Sequence, residues 1–172
     1  MKSKKQEELI HSFLEMLDEE LAAVYREIIL YLSELGYNPY KAKNAVSFKC
    51  ALHNKQIAKM GLRGNKEYSP FFALRFSACR DYPQRFKDAE AAYIAKSANH
   101  TAMCPEGKCH FCAGKPESHT YTRILPTGER EFYCGAYAVE IPDITSDDLA
   151  GIQNLIQEEH EYLIRNEACR EA

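Results

Sequence analysis

AVSFKCALHNKQIAKMGLRGNKEYSPFFALRF, residues 45–76, switches the chain from a helical to an alternating period and so decides the fold class. Val46, Phe48, Cys50 and Leu52 alternate with polar or small neighbours, the period-2 pattern of a half-buried strand. His53-Asn54-Lys55 reads as a turn, Ile57 to Leu62 as a second strand that Gly61 weakens, and residues 63–66 as a loop. Phe71 to Phe76, bounded by Pro70, supplies a third strand. The expectation is three antiparallel strands with Cys50 and Cys79 as core thiols, because a free cysteine behaves as a small hydrophobe.

Upstream of this stretch, Gln6 to Leu35 is free of Gly and Pro and reads as helix. Ile10, Leu14, Leu17, Leu21, Val24, Ile28, Tyr31 and Leu35 recur at spacings of three and four, while Leu9, Phe13, Ile29, Leu30 and Leu32 widen the apolar stripe. Asp18 can cap a second helix, so one long helix and two consecutive helices are both compatible with the pattern. The stripe over 6–35 serves either core packing or a homodimer interface. Gly36 and Asn38-Pro39 give the stop signal.

Downstream, Asp81 is a candidate cap for a helix over Tyr82 to Ala95, with Phe86, Ala89, Tyr93 and Ile94 facing the sheet and Arg85, Lys87 and Lys96 exposed. His119 to Leu125 and Glu129 to Ile141 flank the turn signal Pro126-Thr127-Gly128 and read as a hairpin. With Thr127-Gly128 as a two-residue loop, Tyr121 falls opposite Cys134 and His119 becomes the same-face diagonal neighbour of Cys134. Asp143 to Ser146 cap a last helix bearing Leu149, Ile152, Leu155, Ile156, Leu163 and Ile164 on one face. Glu158-Glu159, His160 and Cys169 read as its solvated side and frayed end. The fold class is therefore α+β: an N-terminal helix or helix pair, antiparallel strands with a packed helix, a cysteine-rich loop, a β-hairpin and a C-terminal helix. The division is a helical element at 1–36 and an α+β body at 37–172, with a cysteine module at 100–141.

Four of the seven cysteines fall between residues 104 and 134. Cys109-His110-Phe111-Cys112 presents two thiolates to one ion, with Ala113-Gly114 letting the chain curl round it, and Cys134-Gly135 adds a third sulfur from the returning strand. Cys104 completes a tetrathiolate zinc site; His119 is the alternative fourth ligand, ahead of His100 and His110. Four protein ligands leave no open coordination position, so such a zinc is structural. Pro116 breaks any helix after Cys112, which argues against a thiol oxidoreductase, since these seat the first cysteine at a helix N-terminus.

The spelling Cys104-x4-Cys109-x2-Cys112-Ala113-Gly114-Lys115, followed at a distance by Cys134-Gly135-Ala136-Tyr137, resembles the cluster-binding loop of plant-type [2Fe-2S] ferredoxins. That resemblance implies a [2Fe-2S] centre on the same four cysteines and an electron-transfer role. The chain differs from the family in carrying His110 and Phe111 where it keeps small residues, and in a shorter gap to the last cysteine. Zinc is therefore the leading expectation and the iron–sulfur cluster the alternative.

A net charge of −3 hides a segregation: residues 1–35 sum to −4, 36–98 to +8 and 99–172 to −7. The basic middle third either docks onto the acidic flanks or offers a surface to an anionic ligand or nucleic acid, with Lys49, Lys55 and Lys59 on the outward strand faces beside the basic helix. No apolar run is long enough for a signal or a membrane span, and an odd cysteine count suits a reducing compartment, so the chain is expected to be cytoplasmic. No Ser-His-Asp set, phosphate-cradling glycine loop or paired His-Glu motif stands out. The sequence reads as a non-enzymatic binding or regulatory protein with a structural zinc site.

Overall fold

Ser3 and Asp18 each start a helix. In a computed structural model, which describes residues 3–64, 69–97 and 119–168, they cap α1 (Lys4–Leu14) and α2 (Glu19–Glu34). The Asp18 carboxylate accepts from the Leu21 N–H at 2.8 Å, so the candidate restart at Asp18 is real and the N-terminal element is a helix pair. The chain then turns at Gly36 into β1 (Tyr37–Ala42), β2 (Ala45–Cys50), β3 (Gln56–Arg63) and β4 (Ser69–Leu74). Helix α3 (Gln84–Ser97), a small hairpin of β5 (Tyr121–Ile124) and β6 (Arg130–Tyr133), β7 (Val139–Ile141) and α4 (Leu149–Ala168) follow. The expected cap at Asp81 is displaced: Pro83 offers the first carbonyl, accepting from the Phe86 N–H at 3.0 Å.

The five-stranded antiparallel sheet has the order β1-β2-β3-β4-β7. Its central three strands are those expected from residues 45–76; β1 and β7 are additions. Pro39 sits on β1, an edge strand, where a missing N–H costs no ladder bond. The register aligns Val46, Met60, Phe72 and Ile141 in one row and Phe48, Ala58, Leu74 and Val139 in the next. These side chains join one core with Phe13, Tyr25, Ile28 and Leu32 of the helix pair, Phe86 of α3, and Ile152, Leu155 and Ile156 of α4. The 6–35 stripe is thus largely spent on the protein's own sheet, with Met16, 57% exposed, and Leu30, 47% exposed, left outside. On the opposite face of the sheet, Lys59 and Arg63 flank the Phe71 ring at 6.0 and 4.8 Å.

Among the described residues, three ion pairs join the basic middle of the chain to its acidic last third: Arg63 with Glu140, Arg85 with Asp148 at 3.1 Å, and Arg75 with Glu159. Mutual docking of the charge-segregated segments is therefore realised. The third pair corrects the reading of Glu158-Glu159 as a solvated face, because Glu159 is fully buried. Its Oε1 accepts from Arg75 Nε and its Oε2 from the Ala78 N–H at 2.8 Å, with Ser77 Oγ 3.5 Å away. An alternation of apolar residues cannot reveal an acidic residue whose partner lies more than eighty positions upstream.

His160 is half-buried rather than solvated. His53 Nδ1 accepts from the Lys55 N–H at 3.1 Å, which puts the neutral ring's proton on Nε2, 3.5 Å from the Tyr37 hydroxyl. The Tyr37 hydroxyl is left to donate to His160 Nδ1 at 3.2 Å. Burial holds the His160 pKa below its ordinary value, against the opposing charge of Glu161.

Replacing Glu159 by Ala strands a buried guanidinium, and we expect it to cost about 3–5 kcal/mol in urea denaturation. The double replacement Arg75→Met with Glu159→Leu should recover most of that loss, since a buried pair is hard to distinguish energetically from apolar residues of similar volume. A double variant no more stable than Glu159→Ala would show that the pair is not acting as a unit.

Candidate metal centre

The hairpin that carries Cys134 closes with one more loop residue than expected. The Leu125 N–H donates to the Glu129 carbonyl and the Gly128 N–H to the Leu125 carbonyl, both at 2.9 Å, so the loop is Pro126-Thr127-Gly128. Gly128 adopts φ +85°, the left-handed residue of a three-residue hairpin loop. The register therefore slips by one, and Tyr121 pairs with Tyr133 rather than Cys134. Carried onward, it sets Thr120 across from Cys134 and His119 across from Gly135, so the same-face diagonal relation of His119 to Cys134 is lost. The hairpin forms a separate two-stranded sheet, and residues up to Ile141, expected to continue its second strand, return to the main sheet as β7.

Aromatic side chains hold this hairpin to the body. The Tyr121 hydroxyl accepts from the Phe76 N–H at 3.2 Å and donates to the Tyr137 carbonyl at 3.1 Å. Its ring meets those of Phe76 at 5.4 Å and Tyr93 at 5.3 Å, both edge-on. The Tyr93 hydroxyl, on α3, donates to the carbonyl of Cys134 at 3.4 Å. Burial drives the Tyr121 phenol far above its ordinary pKa, so the hydroxyl remains a neutral donor.

Gly135, directly after Cys134, marks the tightest approach. A Cβ there would lie 1.8 Å from the His119 carbonyl oxygen and 2.3 Å from Ser77 Oγ. Ser77 in turn donates to the Gly135 carbonyl at 3.0 Å. The sequence singled out Cys134-Gly135 for its sulfur; the glycine's reason is this contact, and Tyr93, Tyr121 and Ser77 were not singled out as supports of the site. Clustered tyrosines beside a cysteine motif were the available signal.

Of the four expected thiolate ligands, only Cys134 belongs to the described residues; Cys104, Cys109 and Cys112 lie outside them, as do His100 and His110. Cys134 is half-buried, whereas Cys50 and Cys79 are buried, as expected of core thiols. The Cys79 thiol donates to the Leu155 carbonyl at 3.4 Å, and burial, reinforced by Glu159, pushes its pKa well up. His119 is 4% exposed and its ring stacks on Tyr162 at 6.3 Å. Among the described residues no three His, Cys, Asp or Glu side chains are grouped to hold a metal ion, and no described helix is long and apolar enough to cross a membrane. Cys134 stands half-exposed where α3 and β5 pack together, and in sequence the three other cysteines lie between those two elements.

Comparison of the chain with protein-family models, curated proteins and solved structures finds no match.

Gly135→Ala should destabilise the protein by about 2–4 kcal/mol, because the new methyl meets a backbone carbonyl rather than a side chain that can yield. Thermal unfolding monitored by circular dichroism measures this; an unchanged melting temperature would mean that the hairpin is not seated on Ser77.

Proposed function

We propose that the protein is a non-enzymatic binding or regulatory module of a reducing compartment, in which a structural zinc ion held by Cys104, Cys109, Cys112 and Cys134 fastens the β5–β6 hairpin to α3. The observation that carries this reading is the placement of Cys134. It is the half-exposed thiol among the described cysteines, and it adjoins both elements from which the segment with the other three departs. Zinc bound there would act as a cross-link, with its free energy of binding serving as free energy of folding. The surrounding tyrosines keep the Cys134 backbone in place whether or not the ion is bound, so apo protein should retain the main sheet and lose order locally.

The alternative fourth ligand, His119, is held by its stacking on Tyr162. Cys104 therefore remains our choice. Cys104→Ser and His119→Ala separate the two by zinc stoichiometry, measured with a colorimetric chelator after thiol release. We expect Cys104→Ser to lose most of its zinc and His119→Ala to keep it, even if the latter melts earlier from lost packing. Retention by Cys104→Ser with loss by His119→Ala would reverse the assignment.

A further inference from the structure

A single cleft of about 390 Å³ lies where α1 meets the loop between β1 and β2. Leu9, Phe13 and Met16 line it from the first helical segment, together with Val46 of β2 and Leu62 of β3. Two cations share this apolar lining, Lys41 and Lys43, and among the described residues no arginine and no acidic side chain joins them. Neither ammonium makes a hydrogen bond or an ion pair among the described residues.

Both lysines occupy positions that do not favour lysine. The register sets Lys41 opposite Val46, at the end of the core-facing row of Val46, Met60, Phe72 and Ile141, whose other members are all apolar. Lys43 takes φ +47° in the two-residue loop that closes the β1–β2 hairpin, a left-handed position that Gly or Asn fills at lower cost. Gly61 seats this loop closely on β3: a Cβ there would lie 2.5 Å from the Asn44 carbonyl oxygen.

We propose that this cleft binds a fatty acid of medium chain length, with the carboxylate between Lys41 and Lys43 and the hydrocarbon chain along Leu9, Phe13, Met16 and Val46. The cleft lies within the range of a few hundred Å³ usual for small-molecule sites, and its mostly apolar lining with a few polar groups is the usual make-up of one. Charge complementarity sets the sign of the head group, since two ammonium groups beside an apolar wall are answered by an anion. The planar guanidinium fork that grips phosphate is missing from the lining, which favours a carboxylate. Met16, exposed and unbranched, can follow the shape of a flexible chain. An inward-facing lysine on an edge strand also discourages edge-to-edge association, but that role calls for neither a second lysine in a left-handed position nor a cleft beside it. Among the described residues no cysteine lines the cleft, so the site is independent of the zinc reading.

Isothermal titration of the full-length, metal-loaded chain with sodium decanoate tests it. We expect saturable binding with a dissociation constant below about 1 mM. Hexanoate, with a shorter chain, should bind at least about tenfold more weakly. Decyltrimethylammonium, with the same chain and the opposite charge, should also bind at least about tenfold more weakly. These comparisons use the unaltered chain and so hold whether or not a variant folds. Lys41→Gln with Lys43→Asn removes both charges while keeping a residue suited to the left-handed loop, and should weaken decanoate binding at least about fivefold. Ser12→Phe, which intrudes on the cleft from the exposed side of α1, should weaken it by a similar factor. Lys87→Gln, on α3, should change it by less than about twofold. Absence of saturable decanoate binding up to about 5 mM, or binding that both cleft variants leave unchanged while circular dichroism shows them folded, overturns the proposal. So does a cationic amphiphile that binds as tightly as decanoate. Co-sedimentation with phosphatidylglycerol vesicles, lost in the lysine variant, by a chain that ignores free decanoate would likewise overturn it, since the lysines would then be contacts to a membrane surface.

Discussion

Arg75 and Glu159 face each other with side chains 5% and 0% exposed, and much of the molecule is arranged so that this is tolerable. A buried carboxylate is costly unless its lone pairs are satisfied, and here the donors come from Arg75 and the Ala78 N–H. Meeting that requirement brings the end of β4 against the middle of α4. It also places Ser77 between the pair and the turn after β6, where Ser77 holds Gly135 and thereby Cys134. The buried ion pair and the candidate metal centre are thus consecutive links in one chain of contacts. Loss of either charge should be felt at the hairpin before it reaches the outer strands.

The segregated charge of the chain takes its meaning from the same contact. A run of cations in the middle third suggests an external anion, but three of its arginines are answered internally by Glu140, Asp148 and Glu159. The middle segment's charge is therefore spent in large part on holding α3, β3 and the segment after β4 to β7 and α4.

How much of this was legible depends on the range of the interaction. Local periodicity identified β2, β3 and β4 and both terminal helical regions, and the Asp18 cap separated α1 from α2 because capping acts over three residues. Strand β1 was hidden by Pro39, which reads as a break unless the strand is known to lie at an edge. The hairpin register failed by one residue because Pro126-Thr127-Gly128 fits a two- or a three-residue loop, both of which take a left-handed Gly128, and only the Leu125–Glu129 pairing distinguishes them. Glu159, His160 and the Tyr93–Tyr121 support are set by partners far away in sequence, where composition and spacing carry no signal. The cysteine motif is the reverse case: its spelling was plain, yet three of its thiols lie outside the described residues.

The account turns on whether those thiols and Cys134 hold zinc. Elemental analysis and a visible spectrum of protein expressed without added metal address this directly. The account predicts about one zinc per chain and no visible colour. A brown protein containing iron and acid-labile sulfide, or a fully folded protein without metal, would contradict it.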